Sequence, residues 1–309
     1  MTEKWIAEWS RERKIGLAMV LWVAACAGLL GQQFRPVAPP APHQNLPRKS
    51  DAKEIVRRSL SLDQEDFKLA RDYTYQEREV LRLLDKKGEP KFREIDTNDV
   101  TVIYGEPYSR RILKGDKPLS AGEEKKEQEK LDKFMGKFKN ENDQDRTRRL
   151  AQKEKRREEG RAFVRDIINA YNFTNAGEEA VDGRETFVIL ADPRNDFRPA
   201  QPHADVLRKL RGKIWIDQKN YGWVKVEAEA IDTISWGFFV LRIHKGSRIA
   251  FEQTRVNDEI WLPKRVAVNA GARFALLMNE TFDWEATYSN YKKFTSSVRV
   301  LAGPGEVQR

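Results

Sequence analysis

The chain predicts an α+β fold dominated by antiparallel sheet, on three observations. From Gly183 onward, runs of β-branched and aromatic residues are punctuated at short intervals by Gly, Asn, Asp or Pro. Connections that short join antiparallel neighbours, because a parallel crossover needs about a dozen residues or more. Ahead of these runs, Tyr73–Leu83 and Phe92–Tyr104 flank Lys86-Lys87-Gly88-Glu89-Pro90, the pattern of a hairpin. Between the two sheet regions, Ser120 to Arg161 is rich in Glu, Lys and Arg at spacings that place opposite charges on neighbouring helical turns.

The first residues concern the compartment. Arg11, Arg13 and Lys14 precede an apolar stretch from Ile15 to Ala25, the arrangement of an export signal. The stretch ends in Val23-Ala24-Ala25-Cys26, and Cys26 is the only cysteine of 309 residues. Three outcomes fit. Val23-Ala24-Ala25-Cys26 resembles a lipobox, whose cysteine thiol is acylated. Ala25-Cys26-Ala27 is an A-x-A-like site that would leave a mature chain starting at Gly28. The run extended to Leu30 is a marginal uncleaved anchor. All three place the folded part outside the cytoplasm, in the periplasm, with a membrane-tethered outer-membrane lipoprotein the favoured form. One cysteine permits no disulfide within the chain.

Residues 1–31 therefore read as signal peptide or anchor. Gln32–Ser50 contains Pro36, Pro39, Pro40, Pro42 and Pro47 and reads as an extended linker. A folded domain is expected over 51–300, with the charged helical segment at 120–161 and a tail at 301–309. Asp51 suits an N-cap, followed by helical spacing at Ile55, Val56 and Leu60 and again at Phe67 and Leu69. Ser120 with Glu123 forms a capping-box pattern ahead of a thin stripe of Leu131, Phe134 and Phe138. A second helix is expected from about Thr147 to Tyr171, with Phe163, Val164, Ile167, Ile168 and Tyr171 on its apolar face.

The expected strands after Gly183 are Arg184–Ala191, Lys213–Gln218, Trp223–Ile231, Trp236–His244, Arg248–Val256, Ile260–Val268 and Arg273–Tyr288. In Trp223–Ile231, Val224, Val226, Ala228 and Ala230 share one face while Lys225, Glu227 and Glu229 face water. Trp236–His244 is apolar on both faces, so both need cover. Trp236, Phe238 and Val240 on one of them, with Phe274, Leu276, Met278, Phe282 and Trp284, form a candidate wall for acyl chains, for which adaptable apolar side chains suffice.

Several stretches carry a family resemblance. Arg211-Gly212-Lys213-Ile214-Trp215-Ile216-Asp217, Val224-Lys225-Val226-Glu227, Lys245-Gly246-Ser247 and Asn257-Asp258-Glu259-Ile260-Trp261-Leu262-Pro263 resemble the outer-membrane lipoprotein-sorting protein group. That group shares the fold of the lipoprotein carriers LolA and LolB. The likeness runs from about Asp51 to Phe294, closing with Tyr288 and Tyr291 to Phe294. It implies a strongly curved antiparallel sheet, an incomplete half-barrel wrapping helices, with an apolar cavity that binds lipid; the charged helical segment is an insertion beyond a minimal carrier.

Chemistry has few residues to work with. His43, His203 and His244 lack metal-ligand spacing, and neither a Gly-x-Ser-x-Gly elbow nor a phosphate-binding glycine loop is present. Asp217, Glu227 and Glu229 fall on consecutive strands, but alternation puts the two glutamates on a wet face. No catalytic residue, metal site or cofactor is expected. A net charge of +9 arises from basic residues interleaved with acidic ones, which argues for no nucleic-acid partner. The expected function is a non-catalytic cell-envelope protein holding lipid or lipoprotein acyl chains, with the membrane reached through the N-terminal segment. The alternative is an adaptor domain of an envelope protein complex with a closed core.

Overall fold

The computed structural model describes residues 52–60, 70–104, 106–201, 204–236, 241–274 and 278–294. Cys26, Phe67, Leu69, His43, His203, Phe238, Val240 and Leu276 lie outside the described residues. The first helix, α1, spans 52–60. Strands β1 (Tyr73–Leu84), β2 (Pro90–Ile103), β3 (Glu106–Lys114) and β4 (Lys117–Pro118) follow as a meander. Helices α2 (Ala121–Lys139) and α3 (Asp143–Ala170) come next. The chain then returns to the sheet with β5 (Tyr171–Val181), β6 (Arg184–Pro193), β7 (Leu210–Asp217) and β8 (Trp223–Ala230). It ends with β9 (Ile234–Trp236), β10 (Leu241–Ile243), β11 (Arg248–Val256), β12 (Ile260–Phe274) and β13 (Met278–Lys293).

All pairings are antiparallel, in the order β4-β3-β2-β1-β13-β12-β11-β8-β7-β6-β5, with β9 and β10 attached beside the distal half of β12. The sheet is open, with edges at β4 and β5. A sheet of this many strands curls by its own twist. Register shows why it curls around a core. Ala286, Val266, Phe251, Val226, Ile214 and Ile189 are successive partners across six strands, all buried on one face. The neighbouring positions on the opposite face read Lys225, Glu252, Arg265, Thr287 and Arg78, a polar row exposed to solvent or closed by ion pairs. Alternation of this kind sets one face toward the core and one toward water.

The helices complete the core. Ala52, Ile55, Val56 and Leu60 of α1 and Phe163, Ile167 and Ala170 of α3 join the same buried cluster as the inner strand residues. Helix α3 also straps the open sheet. Near its start, the Arg149 guanidinium donates to Glu141 at 2.7 and 2.8 Å and to Glu106 of β3 at 2.9 Å. At its end, the Ala170 carbonyl accepts from the Arg194 amide at 2.8 Å, beyond β6. The intervening helix reaches ~30 Å at 1.5 Å per residue, so the strap joins strands near opposite edges. Asp166 pins the loop after β6, accepting from the amides of Ala200 at 3.2 Å and Gln201 at 3.1 Å.

The capping box at Ser120 and Glu123 opens α2 as expected. Lys114 and Ser120 hold the Glu123 carboxyl down to about 2. Phe134 and Phe138 stack toward Tyr108 and Tyr104, which seats α2 beside β3. Two strand expectations need correction. Trp236–His244 is not one strand: Trp236 pairs Leu241 across the β9–β10 hairpin. Arg273–Tyr288 likewise divides, with Phe274 ending β12 and pairing Met278 at the start of β13. An uninterrupted apolar run hides a reversal of direction, since hydrophobic periodicity does not report it. Strands β3, β4 and β5 were not foreseen; in β5, Asn172, Thr174, Asn175 and Gly177 dilute the pattern, and a bulge follows Asn175.

Two of the stretches that carry the family resemblance meet in space. The Asp217 carboxylate, buried after β7, accepts from the amides of Lys219 and Asn220 at 2.9 Å and pairs with Arg184 at 3.2 Å. The resulting turn presents Asn220 to Trp261 of β12, whose indole donates to Asn220 Oδ1 at 3.1 Å. Arg184 lies 4.9 Å from that ring, within cation–π range. Gly222 makes the approach possible, because a Cβ there would sit 1.9 Å from Trp261 Nε1. We expect Gly222→Ala to displace Trp261 and cost about 1–3 kcal/mol, read as a lower urea midpoint by tryptophan fluorescence.

Candidate functional site

The inner face changes character inside the sheet, where the first and last strands in sequence meet. Strand β1 pairs β13 through Glu77↔Tyr288, Glu79↔Ala286, Leu81↔Trp284 and Leu83↔Phe282. Directly paired residues share a face, so Tyr75, Glu77, Glu79, Leu81 and Leu83 look the same way as Phe282, Trp284, Ala286 and Tyr288. This is the inner face: Leu83, Phe282, Trp284 and Ala286 belong to the core cluster, and Leu81 and Tyr288 pack half-buried against it. The row that is apolar from Ile189 to Ala286 continues into Glu79 and then Asp96 of β2. The next row across the same junction is Tyr288, Glu77 and Asn98.

The strip therefore has an apolar end and a polar end. At the apolar end, Trp284 is fully buried against its neighbours and Leu81 lies beside it at intermediate exposure. At the polar end, Tyr75 meets Tyr288 edge-on at 5.8 Å and Tyr291 at 5.4 Å between ring centroids. The Tyr288 hydroxyl donates to the Glu77 carboxylate. Burial raises the Glu77 carboxyl above its ordinary range, and the Tyr288 hydrogen bond opposes that rise only in part. Burial also pushes the Tyr75 phenol up to about 12, with the Glu77 charge adding to it, and raises Tyr288 and Tyr291 further. Tyr291 is positioned by its hydroxyl, which donates to the Pro263 carbonyl at 2.6 Å.

The sequence-derived wall is placed as follows. Phe282 and Trp284 lie side by side on the inner face. Trp236, Phe274 and Met278 fall in one cross-strand row, Trp236↔Leu241↔Phe274↔Met278, at the end of the sheet where β9, β10, β12 and β13 adjoin. Phe238, Val240 and Leu276 are outside the described residues. The structure does not bring Asp217, Glu227 and Glu229 together: Asp217 anchors its turn, Glu227 pairs with Lys225 at 2.7 Å and Glu229 with Arg248 at 3.7 Å. Among the described residues, no group of three His, Cys, Asp or Glu could hold a metal ion, and no helix is long and apolar enough to cross a membrane. Sequence reading missed Glu77 with Tyr288, although the acidic pair Glu77 and Glu79 on a strand face otherwise made of Tyr73, Tyr75, Leu81 and Leu83 was a signal.

No protein-family model matches the chain, and no curated protein matches its sequence. Solved structures are similar at low identity. One is described as an outer membrane lipoprotein-sorting protein domain from Vibrio parahaemolyticus, 11% identical over 79% of this chain and 95% of that one, with a TM-score of 0.28. A DUF1329 family protein from Desulfovibrio piger is 12% identical over 79% and 94%, with a TM-score of 0.30. A LolA superfamily protein from Nitrosomonas europaea is 10% identical over 79% and 94%, with a TM-score of 0.25. The architecture itself rests on this chain's own strand order: an open, curved antiparallel sheet with helices against its inner face, as the resemblance implies.

The Glu77 environment has a pH signature. A folded-state pKa above the unfolded value means that the unfolded chain binds fewer protons in the window between them. Stability then falls as pH rises through that window, beginning near the ordinary carboxylate value of about 4.3. Glu77→Gln removes the charged form. Its stability relative to wild type should rise as pH increases from about 4, measured by urea denaturation at each pH; a difference that stays constant across the range contradicts the assignment.

Proposed function

We propose that this protein is a non-catalytic binding module of the bacterial cell envelope that receives lipid or lipoprotein acyl chains along its inner face. The observation that carries the reading is the strip on β1 and β13. There Leu81, half-buried, continues the row formed by Leu83, Phe282 and Trp284 on the face that leads to Tyr288. An acyl chain laid along it removes apolar surface from water at about 0.8 kcal/mol per methylene and needs no directional partner. Trp236, Phe274 and Met278 would extend that wall at the far end of β12 and β13, together with Phe238, Val240 and Leu276. The N-terminal segment supplies the membrane attachment in this reading, through Cys26 in its lipoprotein form.

An adaptor role is the second reading, and one observation favours it. Tyr104 stacks on Phe138 at 5.7 Å yet is 53% exposed, and Leu150 is 50% exposed. These apolar groups of the β2 end and of α3 suit a protein partner.

Two experiments test the proposal. Purified folded domain should bind a fluorescent fatty acid, and Leu81→Gln should weaken that binding about tenfold, since one buried Leu contributes about 1.5–3 kcal/mol. Absence of saturable binding by the wild type refutes the acyl-chain reading. For the tether, Cys26→Ser in the full chain should yield an unacylated, larger precursor, because a hydroxyl does not replace the acceptor thiol. Mass spectrometry showing mature wild-type protein that starts at an unmodified Gly28, or retains Met1, rules out the lipoprotein form.

A further inference from the structure

We infer that the polar end of the inner face is a cation site that receives the ammonium headgroup of an ethanolamine phospholipid. The inference rests on the acyl-chain reading above and adds which lipid the strip selects. Glu77 faces inward, and its hydrogen-bond partner is the uncharged Tyr288 hydroxyl. Among the described residues, no Lys or Arg is paired with it. Titratable groups face it from the neighbouring strands. On β1 these are Tyr75 and Glu79, and on β13 Tyr288 and Tyr291. On β2 the row holds Asn98 directly opposite Glu77 and Asp96 beside it. On β3, Arg111 lies opposite Asn98 but is held by Asp96 at 2.9 Å, and Lys114 is held by Glu123 of α2 at 2.8 Å.

A half-buried carboxylate without a counter-charge is a costly arrangement that a bound cation relieves. Tyr75, Tyr288 and Tyr291 cluster beside it, and tyrosine rings carry a cation on their faces. The raised pKa of Glu77 agrees with this environment. Placement matters as much as charge. Leu83 lies six positions beyond Glu77 along β1, about 20 Å at the rise of an extended strand. A lipid whose ammonium meets Glu77 would thus lay its chain along Leu81, Leu83, Trp284 and Phe282. An anionic headgroup at the same place meets the Glu77 carboxylate and is disfavoured by like charge.

The test is calorimetric titration of the folded protein with two short-chain lipids below their micellar range, dihexanoylphosphatidylethanolamine and dihexanoylphosphatidylglycerol. Wild type should bind the ethanolamine lipid at least about tenfold tighter, which corresponds to about 1.4 kcal/mol. Glu77→Gln should abolish the preference, weakening ethanolamine-lipid binding and relieving the repulsion of the glycerol lipid, and Tyr288→Phe, which keeps the ring, should retain part of it. Urea denaturation verifies that both variants are folded. Equal affinity of the wild type for the two lipids, or a preference that survives Glu77→Gln, overturns the cation site while leaving the acyl-chain reading standing. If neither lipid binds, that reading fails and this inference fails with it. Free ethanolamine is titrated as well: saturable binding as tight as that of the lipid would assign the site to a soluble amine and overturn the lipid assignment.

Discussion

The pairing of β1 with β13 is the constraint on which the rest of this structure depends. Tyr73–Leu84 and Met278–Lys293 stand roughly two hundred residues apart in sequence, yet they form one continuous ladder. Without it there would be two separate sheets, the meander β1–β4 and the meander β5–β13. With it, one open sheet has its edges at β4 and β5, and α2 and α3 are the stretch of chain that joins those edges. Loop closure over such a distance costs entropy that grows slowly with length. The ladder recovers it through backbone hydrogen bonds and through the burial of Leu83, Phe282, Trp284 and Ala286.

The two faces divide the energetic work. Inside, the apolar rows and the helices α1 and α3 supply non-directional burial. Outside, charges are paired: Glu252 is buried among Lys225, Lys264 and Arg265, and burial raises its carboxyl despite those three cations. Trp215 is covered in the same way, with the ammonium groups of Lys213 and Lys225 at 4.3 and 4.7 Å from its ring and its indole N–H donated to Glu179 at 2.9 Å. The edges are blunted as well, β4 by its two-residue length and β5 by its bulge.

The candidate site sits where these two regimes join. On β11, β8, β7 and β6 the inner face is closed by side chains of the protein itself. On β1 and β2 the same rows turn acidic and half-exposed, since Glu77, Glu79 and Asp96 take positions that hydrophobic residues occupy elsewhere. Glu77 lies there beside Tyr75, Tyr288 and Tyr291, on the face that carries Leu81, Leu83, Phe282 and Trp284.

The sequence by itself determined much of the secondary structure. Period-two alternation located β1, β2, β6, β7, β8 and β11, and the Ser120–Glu123 capping box located the start of α2, because strand faces and helix caps are written in neighbouring residues. The family resemblance supplied the open-sheet architecture. Only the tertiary structure decided what those elements bring together. Gly222 reads as an ordinary turn glycine until Trp261 is seen occupying the space of its missing Cβ. Trp236–His244 reads as one two-faced strand until its reversal pairs Trp236 with Leu241. Glu77 reads as a solvated strand residue until β13 sets Tyr288 opposite it and removes water from its carboxylate. Local spacing encodes which residues share a face. Which distant strand supplies the neighbour is settled by burying that face against the rest of the chain, a property of the whole fold and not of any window of sequence.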